Sequence, residues 1–192
     1  VEEGSVVMIS NVIITGGDAT AGPAIPVAEG GGIDNDGGIV TVIGGRIHGN
    51  HAAFGGAVDN DGGIADSMTL LLTEVDGNTA SQDGGAFFNG ASATLKLTLV
   101  TVHSNSVEPA ADGADAGAGA NGGPGGDGGH GGGIFNDRGD VDIVSSRFYL
   151  NKAGNGGHGG EGGADWAGGP PGDGGDGGDG GHGGAIYSGG GT

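Results

Sequence analysis

Asp173, Asp176, Asp179 and His182 recur at every third position of one glycine tract, "GDGGDGGDGGHGG". His130 closes a second such tract, "GGPGGDGGH", and, like His182, sits four residues before an apolar anchor. Carboxylate oxygens are the ligands that Ca²⁺ takes, and imidazoles are those of transition metals. These five residues are therefore the candidate metal ligands of the chain. In a three-residue-per-turn extended helix, every third side chain lies about 9 Å from the next. Neighbouring carboxylates of one stripe cannot share an ion at that spacing. A Ca²⁺ site would need a second segment alongside, and without one the stripe is a solubilising face.

Catalytic chemistry has fewer footholds. The chain holds five basic residues, 24 acidic ones and no cysteine, so thiolate nucleophiles, disulfides and cysteine metal sites are absent. Arg46 sits four residues before Asn50, Glu74 four before Asn78, and Arg147 four before Asn151, which reads as a surface charge ladder. Asp34, Asp36, Asp59 and Asp61 belong to "DNDGG" and "DNDGG" again, the chemistry of turns. No catalytic residue and no cofactor-binding residue is assigned. Matches to dinucleotide-type glycine motifs carry nothing in a chain with 54 glycines. A formal charge of −19 repels polyanions and excludes nucleic acid as a partner. No stretch is apolar for long enough to cross a membrane.

The elements that place these residues follow from an internal repeat. One signature is Gly-Gly-x-apolar, with its apolar residue at Ile33, Val58, Phe87, Ile134 and Ile186. The other is apolar-x-x-Asn, closing at Asn50, Asn78, Asn105 and Asn151, with "ITGG" at Gly17 as a degenerate copy. Ten, eight and three residues before that closing position, every copy is apolar. The sets are Val7, Ile9 and Ile14; Val40, Val42 and Ile47; Met68, Leu70 and Val75; Leu95, Leu97 and Val102; Val141, Ile143 and Phe148. The pair at ten and eight has a period of two, the mark of a strand with one buried face.

Units of about 25 residues, made of short strands and a return of variable length, predict a parallel β-solenoid of about five coils. Parallel crossovers favour the right hand. The chain is read as all-β and as a single domain over residues 1–192, with glycine-rich insertions at about 111–131 and 154–183. The repeated Asn suits a stacked internal amide ladder. An antiparallel sandwich using "DNDGG" as hairpin turns is the competing architecture. For the insertions, Gly-Gly-x predicts polyglycine II helices, with glycines on two edges and the third residue on one stripe. Trp166, the single tryptophan, is placed at a turn of the second insertion, as a packing point or an exposed contact.

The "GGAV", "GGAF", "GGAI" and "FYLN" motifs resemble the repeats of the polymorphic outer membrane proteins and related bacterial surface β-helix proteins. That resemblance implies a right-handed β-helix passenger on a cell surface, in many cases an adhesin. The chain departs from the family in its long Gly-Gly-x tracts, and it contains no outer-membrane barrel. A start at Val1 implies either a processed or an excerpted chain.

The expected function is therefore non-enzymatic and extracellular: a secreted or cell-surface solenoid acting as fibre subunit, adhesin or passenger segment. Val7, Ile9 and Ile14 at one end, and Ile186 and Tyr187 at the other, are the candidate assembly residues, since the last repeat has a lead-in whose following strand the first repeat would supply. The expected partner is another copy of the chain, head to tail, with cell-surface or glycan partners beside it. The alternatives are a polysaccharide lyase or hydrolase on a β-helix scaffold, and a cation- or glycan-binding module. Ice binding would need Thr-x-Thr ladders, of which only "LTLVT" gives a hint.

Overall fold

The computed structural model describes residues 1–19, 29–61, 66–164 and 170–190; Trp166 lies outside them. The chain is a parallel β-solenoid, and among the described residues no antiparallel hairpin joins its strands. Four narrow sheets run along the stack. The first contains Val6–Ser10, Ile39–Ile43, Ser67–Leu71, Thr94–Thr98 and Asp140–Val144. The second contains Ile13–Thr15, Arg46–His48, Glu74–Asp76, Thr101–His103 and Arg147–Tyr149. The third is four strands deep, and the fourth runs from Ile33–Asn35 to Ile186–Ser188 in five. Three coils have neighbours on both sides; the outer two are rims.

Strand pairing follows the repeat residue for residue. Val7, Val40, Met68, Leu95 and Val141 form one column, and Ile9, Val42, Leu70, Leu97 and Ile143 the next. Ile14, Ile47, Val75, Val102 and Phe148 form a third, and Ile33, Val58, Phe87, Ile134 and Ile186 a fourth. In the middle coils these side chains are fully enclosed; Val75, Phe87 and Leu95 have no exposed surface. On the rims, Val7, Ile9, Ile14, Val141, Ile143 and Phe148 are only partly covered. Each rim side chain thus gives up part of the roughly 25 cal/mol per Å² that apolar burial contributes.

Two amide ladders run inside the stack. In the expected one, Asn50 donates to Asn78 Oδ1 at 3.0 Å, Asn78 to Asn105 Oδ1 at 2.9 Å, and Asn105 to Asn151 Oδ1 at 3.0 Å. The other, which the two repeat signatures do not mark, links Asn35, Asn60, Asn89 and Asn136 through contacts of 2.7, 2.8 and 2.9 Å. Both sit at corners, where the backbone leaves one sheet and its polar groups lose their ladder partners. A buried amide with all its partners made supplies what a corner lacks.

The corners repeat a left-handed backbone as well. Asn11, Gly44, Leu72, Leu99 and Ser145 form one column of positive φ, and Gly16, Gly49, Gly77, Ser104 and Leu150 another. Leucine has no preference for that region. Leu72 and Leu99 adopt it at φ 55° because the register of the coils above and below dictates the bend.

The two insertions leave the stack from the same corner and are ordered against one another. Each goes out and returns, giving four extended segments: 110–117 and 120–130 from the first, 154–163 and 172–182 from the second. Hydrogen bonds join them at every third residue. The amides of Ala110, Gly113 and Ala116 donate to the carbonyls of Asn155, His158 and Glu161, and those of Gly122, Gly125 and Gly128 to Asp173, Asp176 and Asp179. Gly154, Gly157 and Gly160 donate to Gly129, Gly126 and Gly123, while Gly181, Gly178 and Gly175 donate to Gly154, Gly157 and Gly160. The first insertion is thus a lower layer and the second an upper one. A Cβ on Gly157 or Gly160 would overlap the carbonyl of Ala111 or Ala114, so glycine there is obligatory.

Two measurements check this account. Asn78→Ala removes both directions of the amide ladder and leaves buried partners unmade, so chemical denaturation should register a loss of about 3 kcal/mol. Leu72→Gly relieves a strained, exposed corner and should raise stability by about 1 kcal/mol in the same assay.

Candidate functional site

The expected metal ligands are arranged for stacking. His182 lies flat on His130, ring centroids 5.3 Å apart and planes 5° from parallel. The backbone N–H of His182 donates to His130 Nδ1 at 2.9 Å, which commits that nitrogen as an acceptor. Tyr187 covers His130 at 4.6 Å and continues a ring column through Phe135 and Phe88 to Phe54, with spacings of 5.3, 5.3 and 5.2 Å. Asp173 and Asp179 receive side chains from the layer below on their backbone amides: Asn121 Oδ1 at 2.9 Å and Asp127 Oδ1 at 2.8 Å. Among the described residues, neither the Asp173–Asp176–Asp179 stripe nor the two histidines belong to a group of three converging ligand atoms.

The one such group, which sequence reasoning did not assemble, is Glu74, Asp76 and His103 on the second sheet. Parallel register sets Glu74 beside Arg46, as the repeat predicts. The guanidinium nonetheless bonds mainly to Asp76, with Nε at 2.6 Å from Oδ1 and Nη2 at 2.5 Å from Oδ2, and reaches Glu74 at 3.6 Å. Arg46 holds the Asp76 carboxyl below its ordinary range, chiefly through that hydrogen bond. His103 bonds Glu74 at 3.0 Å and stacks on Tyr149 at 4.7 Å. Arg46 contacts both carboxylates and His103 bonds Glu74, so the group is a surface ion-pair network; such pairs stabilise by under about 1 kcal/mol each.

A second cluster is acidic. In the fourth sheet Asp34 lies beside Asp59, and Asp59 beside Phe88. Asp59 is 2% exposed, and its Oδ2 has no hydrogen-bond partner. Burial, then the charges of Glu29, Asp61, Asp34 and Asp36, push its carboxyl up to about 8. Burial likewise raises Asp34, Asp61 and Glu29. The turn chemistry expected for these aspartates is present, since Asn35 closes the first "DNDGG" onto Gly38. Asp59 is a cost added to it: a buried acid that retains its proton at neutral pH.

A cleft of about 300 Å³ at the root of the first insertion is lined by Ser81, Gln82, Asp83, Glu108, Asp127 and His130. His130 donates its backbone N–H to Asp83 at 2.6 Å, and its ring is spent on stacking. The candidate assembly residues fall on opposite rims: Val7, Ile9 and Ile14 on strands that end the first and second sheets, Ile186 and Tyr187 on the strand that ends the fourth. Ile186 is 41% exposed although its column is otherwise buried.

The Asp59 environment yields a pH prediction. The folded chain binds a proton that the unfolded chain releases near the ordinary value of 3.8. Stability should therefore fall as pH rises from about 4 to 8. Asp59→Asn should remove that part of the fall, raising Tm by several degrees at pH 8 and leaving it unchanged at pH 3 in thermal melts.

No protein family, characterised protein or solved structure matches this chain in sequence or fold comparison.

Proposed function

We propose that this chain is a non-enzymatic extracellular structural protein, a solenoid subunit that adds to another copy of itself head to tail. The observation that carries the reading is the state of the two rims. Each exposes part of the apolar columns that every interior coil encloses, and each presents strands paired on one side only. An unpaired strand edge is a template for further pairing. Stacking a coil onto either rim restores both terms, and a contact between unlike ends continues instead of closing.

The chemistry of the polar groups supports a structural role over turnover. In the best ligand-like group Asp76 is bonded by Arg46 and Glu74 by His103, and His130 and His182 are engaged in ring stacks. The acidic surface and the lack of cysteine suit a secreted location, and the motif resemblance to bacterial surface β-helix proteins points the same way. We read the paired insertions as a bundle of polyglycine II helices, on the strength of their three-residue hydrogen-bond register. This bundle is a lateral fin on the fibre, and its stripe of aspartates keeps it hydrated.

Electron microscopy and sedimentation over a wide concentration range test the reading. The expected result is particles that lengthen with concentration along the solenoid axis, and that lose this axial lengthening with Ile14→Lys or Ile186→Lys. Single copies at every concentration would overturn it.

A further inference from the structure

The glycine layers carry an unused half of their own bonding pattern. In the lower layer, the residue after each stripe position donates its amide upward: Gly113, Gly122, Gly125 and Gly128 all bond to carbonyls of the upper layer. The equivalent amides of the upper layer belong to Gly156, Gly159, Gly162, Gly174, Gly177 and Gly180. None of them has a partner among the described residues. Three of these glycines also lack an internal reason to be glycine. Nothing lies within 4 Å of a Cβ built on Gly180; the nearest atoms to one on Gly174 or Gly177 are single carbonyl oxygens at 3.6 and 3.4 Å, and no positive φ forbids a side chain. Their counterparts one layer down, Gly122, Gly125 and Gly128, are filled against by upper-layer carbonyls. The open positions thus match a covered surface whose cover is missing.

The lower face of the first insertion has the complementary vacancies. The stripe carbonyls of Asp112, Asp115, Asn121 and Asp127 accept no hydrogen bond, although the same carbonyls in the upper layer each accept one from below. The stripe amides there are equally free. In the upper layer such amides are satisfied by stripe side chains, as Asp179 N–H is by Asp127. An upper face with free amides and acceptor carboxylates therefore matches a lower face with free carbonyls and free amides, at one shared three-residue period.

We propose that the upper glycine face is a docking surface for the lower glycine face of a second copy of this chain. The two segments of a layer run in opposite directions, so a half-turn about the stacking direction leaves their polarity pattern unchanged. A second copy can then approach tip first, with its solenoid beyond the tips of the first copy's insertions. Each segment extends about 3.1 Å per residue, which gives overlap along its whole length without contact between the two solenoids. Main-chain pairing of this kind is the polyglycine counterpart of strand addition to a sheet edge. It uses neither rim of the solenoid, so it joins copies sideways and does not rest on the head-to-tail reading. Each copy carries a formal charge of −19, so the contact strengthens as salt screens the repulsion between copies.

The experiment compares the wild-type chain with a Gly174→Leu/Gly177→Leu double variant and with Ile186→Lys. It uses sedimentation velocity at low and high NaCl and amide hydrogen exchange read by NMR. The open space at both glycines lets the leucines fit within a single copy, and an unchanged thermal melt checks this. The expected result is salt-promoted association of the wild type and of Ile186→Lys, with Gly174, Gly177 and Gly180 amides protected on association, and at least a tenfold weaker association of the double variant. The inference is overturned if those amides exchange freely at every concentration, or if the double variant associates like the wild type. Association abolished by Ile186→Lys alone also overturns it, while leaving the head-to-tail contact standing.

Discussion

Everything in this molecule depends on register: each residue lies directly over its equivalent in the coil below. Stacking like on like makes a buried apolar column cheap, because each side chain rests on a neighbour of similar shape. The same rule is severe for polar groups, since a donor with no acceptor one coil away is orphaned in the interior. The asparagine ladders resolve this, because an amide carries both donor and acceptor and so passes the bond along. A carboxylate cannot. Asp59 shows the consequence: set over Asp34 and under Phe88, it retains a proton because burial and the carboxylates around it disfavour its charge, and its Oδ2 has no donor to accept from.

Register also explains why some of this was legible in the sequence and some was not. The four apolar columns and the Asn50 ladder were readable because each lies at a constant distance from an anchor and keeps one chemistry in every coil. The Asn35 ladder sits two residues after the Gly-Gly-x-apolar anchor, so close that it merged with the turn residues of "DNDGG". The left-handed corners stayed hidden because Leu72, Leu99 and Leu150 occupy positions where glycine or asparagine would be expected. Tertiary register overrode local preference there. The ring column was obscured because its position changes type, from Asp34 and Asp59 to Phe88, Phe135 and Tyr187.

The candidate site shows the limit of spacing arguments. Counting back from Asn placed Arg46 beside Glu74 correctly, yet the stronger bond runs diagonally to Asp76. Strand pairing determines which backbones are neighbours; side-chain length and hydrogen-bond geometry determine which charges meet. The histidines illustrate the same point. Their common distance from the anchor brings His130 and His182 together, and parallel stacking then turns their rings face to face, which is the wrong attitude for sharing a metal ion.

The insertions follow the rule of the coils with a different period. A β coil repeats its bonds every second residue and alternates its faces; the glycine segments repeat every third and need glycine on whichever edges are covered. Segment 154–163 is covered by three others, and a Cβ on either of its glycine edges would strike backbone. Segment 172–182 has one covered edge and one open one, yet its composition is the same on both. Packing within one copy accounts for Gly175 and Gly178 and has no use for Gly174 and Gly177. A glycine in an extended segment carries an entropic cost on folding, so its presence at an uncovered edge points to a covering layer over segment 172–182.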